Sequence, residues 1–186
     1  MSEHTEIVDI VDENDVVIGQ ATRQETHDQG LLHRAVHVLA LDEERNVLLQ
    51  KRADSKAFNP GCWTSAASGH ITTGDTYEAT ADREAVEELG LPRPLSLKYI
   101  GKVRADALDR KTGRACCTWT ALYTMRLTVG LEDVRPQASE LAKVEVFPFN
   151  CVRRAVKGEI QLKSVNGEIV QFADNFAPIF GLFSID

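Results

Sequence analysis

Long apolar runs and a signal peptide are both missing from this 186-residue chain. A membrane-spanning helix needs about 20 consecutive apolar residues, and no run in the sequence approaches that length. The N-terminus, MSEHTEIVDIVDEN, is acidic and has neither the basic nor the apolar region of a secretory signal. We therefore predict a soluble, cytoplasmic protein with no membrane partner.

Cysteine is scarce, and its spacing argues against two further classes of protein. The four cysteines are Cys62, Cys116, Cys117 and Cys151, and no two of them are spaced as C-x-x-C. This pattern indicates neither a disulfide framework nor a zinc site. We expect buried free thiols, because free cysteine behaves as a small hydrophobic residue.

Positive charge is also in deficit. Lysine and arginine number 21 against 28 aspartate and glutamate residues, which gives a formal net charge of −7. Nucleic-acid binding depends on lysine and arginine neutralising phosphates, so we predict no nucleic-acid partner. An anionic substrate would need a metal ion or a few well-placed basic residues.

The apolar pattern predicts one α/β domain with a mixed sheet. Residues 6–22 alternate short apolar runs with DEND and predict a β-hairpin. HRAVHVLAL and NVLLQKR predict two buried strands joined by a tight turn. Further predictions are a loop or short helix at RQETHDQGLL, strands in LSLKYIGKVRA, ACCTWTALYTMRL and KVEVFPF, a charged turn at DALDRKTGR, a polar loop over 131–142, a helix from Asn150 and a core-docking helix at FAPIFGLF.

The segment ADSKAFNPGCWTSAASGH has almost no periodicity and contains the turn signal Asn59-Pro60-Gly61. It predicts a long surface connection that leads into a short strand, with Trp63 in the core. Long irregular loops in compact domains are often functional. Its place before a glutamate-rich helix favours a functional loop here.

Three glutamates dominate that helix. Glu84, Glu87 and Glu88 are spaced by three and four residues, which places them on one helical face. Like charges at this spacing destabilise a helix by roughly 0.2–0.5 kcal/mol per pair, so a counter-charge is expected. A hard divalent cation such as Mg²⁺ fits carboxylate oxygens and substrate phosphates.

Local signals give this helix its bounds and its buried side. Asp75 is the predicted N-cap, with Glu78 completing a capping box, and Gly90 followed by Pro92 predicts the end. A stripe spaced by four residues is predicted to pack on the sheet, which leaves the glutamates facing a cleft. The stripe consists of Tyr77, Ala81, Ala85 and Leu89.

The segment from Gly69 to Leu91, GHITTGDTYEATADREAVEELGL, resembles the Nudix box, G-x5-E-x7-R-E-U-x-E-E-x-G-U, in which U is a bulky aliphatic residue. Asp75 stands at the first glutamate and Ala85 at an apolar position; the other seven specified positions match. The resemblance implies an α/β/α sandwich and a hydrolase acting on a phosphoanhydride of a small diphosphate. The metal is expected to be Mg²⁺, with Mn²⁺ as a substitute, held by Glu84, Glu87, Glu88 and the carbonyl of Gly69.

The resemblance also implies the remaining roles at the site. Arg83 is expected to orient a carboxylate of the box, and the shorter side chain of Asp75 puts its usual partnership with that arginine in doubt. One glutamate of the triad, or a carboxylate from another loop, would take the proton from water. Glu84 and Glu140, which precedes a late strand, are the candidates for that base, with Glu88 retained as a catalytic residue.

Over residues 8–91 the chain resembles the isopentenyl-diphosphate isomerase-like branch of this superfamily, which contains isomerases and hydrolases. Isomerases place a catalytic cysteine before the Gly-His of the box and a Glu-x-Glu motif on a later strand. Here Ser68 occupies the first place and RACCTWTALYT contains no carboxylate, so hydrolysis is favoured. The isomerase metal histidines resemble His27, His33 and His70, whose role, structural or metal-binding, is left open.

Two basic residues match positions that hold the diphosphate in this branch. Arg52 suits bidentate phosphate recognition and Lys56 supplies a point charge. The expected partner is a small-molecule diphosphate, and a homodimer is left open. Isomerisation of isopentenyl diphosphate and non-catalytic diphosphate binding are the alternative functions.

Overall fold

The computed structural model describes residues 6–109 and 112–183, and the strands found there form one nine-stranded mixed sheet. The strands are β1 Ile7–Val11, β2 Val17–Thr22, β3 Leu32–Leu41, β4 Asn46–Arg52, β5 Trp63–Ser65, β6 Ala67–His70, β7 Lys98–Leu108, β8 Ala115–Arg126 and β9 Leu141–Pro148. The helices are α1 Arg23–Gln29, α2 Tyr77–Leu89, α3 Phe149–Val156 and α4 Phe176–Phe180, with a 3₁₀ turn at Leu131–Asp133.

Strand β3 is the centre of the sheet. It pairs antiparallel with β1, β4 and β6 and parallel with β8. The β6 register places Gly69 opposite Val36 and His70 opposite Ala35. Neighbouring residues of a strand point to opposite faces, so Gly69 and His70 serve different sides of the sheet.

Helices cover both faces of the sheet, which confirms the predicted α/β class and mixed sheet. One core lies between the sheet and α2 and includes Val36, Ala81 and Leu89. The other core lies under α3 and α4 and includes Leu39 and Phe176. The final helix therefore docks into the core as predicted.

The predicted N-cap of α2 is wrong by one residue. The cap is Thr76, whose side-chain oxygen accepts a hydrogen bond of 3.2 Å from the backbone N–H of Ala79. Asp75 instead closes the preceding turn, where its N–H bonds the carbonyl of Thr72. Threonine and aspartate both cap helices well, and the tertiary path of the turn decides between them. The C-cap is Gly90 at φ 64°, as the sequence predicts.

The irregular segment before α2 is shorter than predicted. Residues 53–62 form the loop, and the rest is ordered as β5 and β6. Ser65 and Ala67 are fully buried, and these small residues, which carry little strand signal, become strand through pairing with β4 and β3. Trp63 is 1 % exposed, which places it in the core.

The other local predictions agree with the structure in outline. Residues 6–22 form the hairpin of β1 and β2. Strand β7 continues to Leu108, three residues beyond the predicted strand, because it stays paired with β8. Positions 110 and 111 of the predicted charged turn lie outside the described residues.

Two expectations from composition can also be compared with the structure. The four cysteines all lie among the described residues and form no disulfide; Cys62 and Cys116 are buried, but Cys117 and Cys151 are partly exposed, against the expectation that all are buried. Within 6–109 and 112–183, no helix is long and apolar enough to cross a bilayer.

Candidate functional site

A cleft of about 170 Å³ opens between α2, β6, the 53–62 loop and the loop before β9. We call it the carboxylate cleft, because its walls bring together acidic residues that are far apart in sequence. Basic side chains line the same space, so the cleft can hold a cation beside an anion. The acidic residues are Glu6, Glu84, Glu87, Glu88 and Glu140, and the basic residues are Arg23, Arg52, Lys56 and Arg83.

Gly69 lies against the carboxyl group of Glu84. A Cβ atom at position 69 would stand 2.3 Å from Glu84 Cδ and 2.4 Å from Oε1, which is closer than real Cβ contacts. The absence of a side chain therefore lets the helix carboxylate approach the backbone of β6. This proximity brings a carboxylate and a main-chain segment, two sources of oxygen ligands, to one place.

Glu84 and Glu88 are the buried acids of the cleft. Burial raises the pKa of Glu84 to about 7, against the opposing charge of Arg83. Burial also raises the pKa of Glu88 to about 8, and the nearby Glu84 adds to the effect. Keeping both ionised in this space is costly without a cation, and carboxylate oxygens are ligands that Mg²⁺ prefers. The donor set therefore fits a hard divalent ion.

Two hydrogen bonds hold Glu88 in place. Its Oε2 accepts from the backbone N–H of Ser68 at 2.9 Å and from Nε2 of Gln50 at 3.2 Å. Glu88 is 5 % exposed and Gln50 is fully buried. The residue at position 68 thus bonds to the glutamate helix through its main chain.

Arg83 spans the outer part of the triad. Its Nη1 donates to Glu84 Oε1 at 2.8 Å and lies 3.7 Å from Glu87 Oε2. Its Nη2 is 3.8 Å from Asp75 Oδ2, so the shorter acid at position 75 makes only a long contact. Glu87 is exposed, with 56 % of its side-chain surface accessible, which leaves it open to a ligand from solvent.

The structure pairs two residues to which the sequence assigned separate roles. Lys56 Nζ donates to Glu140 Oε2 at 2.6 Å, and Lys56 is only 8 % exposed. Arg52 Nε donates to the carbonyl of Phe58 at 3.0 Å, which ties its guanidinium to the loop. A phosphate that binds Lys56 would compete with Glu140 for the ammonium group.

Three histidines meet beside the cleft. His27 from α1, His33 from β3 and His70 from β6 place ligand nitrogens within 4.8 Å of one another. Burial lowers the pKa of His33 to about 4 and the pKa of His70 well below its ordinary value, so both rings are neutral at neutral pH. Neutral imidazole is the form that binds metals.

Unmet hydrogen bonds distinguish this cluster from a satisfied structural one. His27 Nδ1 lies 2.9 Å from the carbonyl of Ala115, and His33 Nδ1 lies 2.7 Å from that of Leu31. Among the described residues, His33 Nε2 and both nitrogens of His70 have no hydrogen-bond partner. Imidazole clusters of this kind suit Zn²⁺ and other transition metals.

Sequence reasoning missed some residues that line the cleft. Gln50 follows the apolar run of β4 and is fully buried, and a buried polar residue at such a position is a usable signal for a partner such as Glu88. Arg23, Glu6 and Gln137 also line the cleft. Arg23 begins α1, Glu6 precedes β1 and Gln137 lies in the loop before β9. Their sequence neighbourhoods carry no motif.

Comparisons with known proteins point to the same family as the resemblance of residues 69–91 to the Nudix box. The family model described as NUDIX domain matches residues 31–162. The chain is 39 % identical over 145 residues to an uncharacterized Nudix hydrolase of Streptomyces coelicolor, covering 76 % of this chain and 74 % of that one. It is 33 % identical over 138 residues to an isopentenyl-diphosphate Delta-isomerase of Serratia proteamaculans, covering 72 % and 70 %.

Solved structures show the same fold. A protein from Deinococcus radiodurans superposes with a TM-score of 0.70 at 20 % identity, covering 95 % of this chain and 98 % of that one. A MutT protein from Methanosarcina mazei superposes with a TM-score of 0.59 at 15 % identity, covering 81 % of this chain and 91 % of that one. The box, the carboxylate cleft, the family match and these relatives agree, and the chain belongs to the Nudix family.

Proposed function

We propose that the protein is a Mg²⁺-dependent hydrolase that cleaves a phosphoanhydride bond in a small organic diphosphate, including nucleoside diphosphate derivatives. The observation that carries the proposal is the carboxylate cleft, where the glutamates of α2 face Arg52 and Lys56 across one space. Anionic and cationic walls of this kind suit a substrate in which a metal ion and a diphosphate are bound together.

The residues around the ion have distinct tasks. Glu84, Glu87 and Glu88 would hold Mg²⁺ or Mn²⁺ with the carbonyl of Gly69, and Arg83 keeps Glu84 in position through its 2.8 Å hydrogen bond. The ion, when bound, neutralises phosphate oxygens and lowers the pKa of bound water. The Ser68 N–H and Gln50 fix Glu88, so the ligand face is largely preorganised.

The general base is Glu84 or Glu140, and the structure suggests how they differ. Glu84 lies within the triad, whereas Glu140 is held by Lys56 until a phosphate takes that ammonium group. Substrate binding would thus release the Glu140 carboxylate beside the bound phosphate. Comparing Glu140→Gln with Glu84→Gln in single-turnover kinetics assigns the base: loss of the proton-transfer limb of the pH profile identifies it.

A substrate screen tests the proposal. Purified protein with Mg²⁺ or Mn²⁺ is incubated with nucleotide sugars, dinucleotides, oxidised nucleotides and isoprenoid diphosphates, and phosphate or monophosphate release is measured. We expect metal-dependent release from at least one class. Ligand binding with no turnover across the panel would instead support a non-catalytic diphosphate-binding module.

Isomerisation of isopentenyl diphosphate is the second candidate. The histidine cluster favours it, as do relatives whose names say isopentenyl-diphosphate Delta-isomerase. Against it, Ser68 stands where an isomerase has its cysteine, and β8 contains no carboxylate. Incubation with isopentenyl diphosphate separates the two: an allylic isomer supports isomerisation, and released phosphate supports hydrolysis.

A further inference from the structure

A second pocket adjoins the carboxylate cleft on the other side of β6. It has a volume of about 50 Å³ and shares Arg23, Arg52, Gly69 and His70 with the cleft. We call it the His37 pocket; its other lining residues include His37, Asn59, Ser68, Cys116 and Asn175. One water needs about 10–15 Å³ of such space, so the pocket has room for a small substituent of a few heavy atoms.

His37 presents a hydrogen-bond acceptor to this pocket. Ser65 Oγ has one hydrogen, which it donates to the carbonyl of Ala67 at 3.0 Å. Ser65 Oγ therefore accepts at its 2.7 Å contact with His37 Nδ1, and that nitrogen carries the ring hydrogen. Burial, helped by the charge of Arg52, lowers the pKa of His37 to about 3, so the ring is neutral and Nε2 has a free lone pair.

Asn59 supplies the complementary group. It is 3 % exposed, and its Oδ1 accepts from the backbone N–H of Asp174 at 3.5 Å. Its side-chain NH₂ is therefore the end that can donate to a ligand in the pocket. Among the polar groups that line the pocket, His37 thus offers an acceptor and Asn59 a donor. A hydroxyl group is both a donor and an acceptor, so it matches this pair.

We propose that the His37 pocket recognises a hydroxyl group on the organic part of the diphosphate, with His37 Nε2 accepting its hydrogen and Asn59 donating to its oxygen. This inference rests on the proposed function, since the cleft supplies the diphosphate site. It makes the substrate class small hydroxylated organic diphosphates. A hydrocarbon substituent would leave buried polar atoms unpaired, which is unfavourable.

Binding of a matched pair of inert ligands tests the inference without turnover. The ligands are the monoesters of methylenediphosphonate with propanol and with glycerol, titrated calorimetrically into the full chain with Mg²⁺. A net hydrogen bond contributes about 0.5–1.5 kcal/mol, so we expect the glycerol ester to bind about tenfold more tightly. Equal affinities for the wild-type protein would overturn the inference.

Three variants identify the cause of any preference. His37→Phe keeps a ring but removes the acceptor, and the preference should fall to about one. Ser65→Ala removes the group that fixes the tautomer of His37. It provides a second test if His37→Phe does not fold. Cys116→Ala is the control, since it enlarges the same pocket without changing a hydrogen bond; both affinities should change together. A preference retained in both His37→Phe and Ser65→Ala overturns the role of His37.

The two proposals fail separately. A binding preference with no hydrolysis in the substrate screen supports the hydroxyl site and rejects the hydrolase. Hydrolysis in that screen with no binding preference supports the hydrolase and rejects the hydroxyl site.

Discussion

Gly69 and His70 are neighbours on β6 and both line the carboxylate cleft, yet they contact two chemically different groups of side chains. Gly69 lies against the Glu84 carboxyl on the α2 side, where the acids of the box gather. The His70 ring centroid lies 5.0 Å from that of His33, in the cluster with His27. Because neighbouring residues of a strand point to opposite faces, β6 brings the carboxylates beside Gly69 and the imidazoles around His70 within one peptide unit of each other.

Burial affects the charge of the two groups of side chains differently before a ligand binds. Burial raises the pKa of Glu84 and Glu88, so the carboxylate side resists ionisation and benefits from a bound cation. Burial lowers the pKa of His27, His33 and His70, so the histidine side stays neutral and needs no counter-charge. The first site is matched to a hard ion, and the second to a transition metal or to no metal.

The largest expected effect comes from removing a charge on the carboxylate side. Glu88→Gln or Glu87→Gln should lower kcat by roughly a thousandfold, about 4 kcal/mol, because the ion loses a charged ligand. In Glu88→Gln the new amide oxygen can still accept from the Ser68 N–H and Gln50, so the fold should survive. Steady-state kinetics with Mg²⁺ measure the effect.

Glu78→Gln, at an exposed position of the same helix, is the matched control for this loss of charge. It should leave kcat close to that of the wild-type protein. Near-normal turnover in a folded Glu88→Gln protein contradicts the metal assignment.

Gly69→Ala tests whether Glu84 must lie close to the backbone of β6. The added Cβ would lie 2.3 Å from Glu84 Cδ, so the flexible carboxyl end must move. A misplacement of about 1 Å in a catalytic group can cost 10²-fold, so we expect kcat to fall by about a hundredfold with little loss of stability. Kinetics and thermal unfolding on the same sample check this. Unchanged activity would show that Glu84 is not needed at its present position.

Because His37 is buried and neutral, lowering the pH should reduce the free energy of unfolding. Its pKa is about 3 in the folded chain against an ordinary 6.5, so below pH 6.5 the unfolded chain binds a proton that the folded chain does not. Stability therefore falls as pH falls through that window, by about 2 kcal/mol from this residue at pH 5. Denaturant unfolding at pH 7.5 and pH 5 should show a shallower dependence in His37→Gln. Equal dependence in both proteins rules out this contribution.

The smallest expected effect is a change in metal affinity that differs between Zn²⁺ and Mg²⁺. His70→Ala should weaken Zn²⁺ binding roughly tenfold and leave Mg²⁺ binding unchanged, because only the histidine side offers imidazole ligands. Calorimetric titration with each ion alone measures both. Glu87→Gln is the reciprocal control and should affect Mg²⁺ only. If both variants weaken both ions equally, the two sides form one site.

Elements with a strong local signal were predictable from sequence. The hairpin of residues 6–22, the strands β3 and β4 and the end of α2 at Gly90 follow from alternation, apolar runs and turn residues. The sequence predicted only one short strand where the structure has β5 and β6, since Ser65 and Ala67 have little preference for strand and gain it from their neighbours. The N-cap was misplaced for a related reason, because the turn before α2 selects Thr76.

By itself, the sequence determined the Nudix box, and with it one face of three glutamates and a glycine before them, because these relations depend only on helical periodicity and chain order. Tertiary structure alone decided that Lys56 pairs with Glu140, that Gln50 and the Ser68 N–H hold Glu88, and that three histidines from α1, β3 and β6 meet. The hydrogen bonds among these contacts join residues 20 to 84 positions apart, and no local pattern encodes which strand will lie beside which.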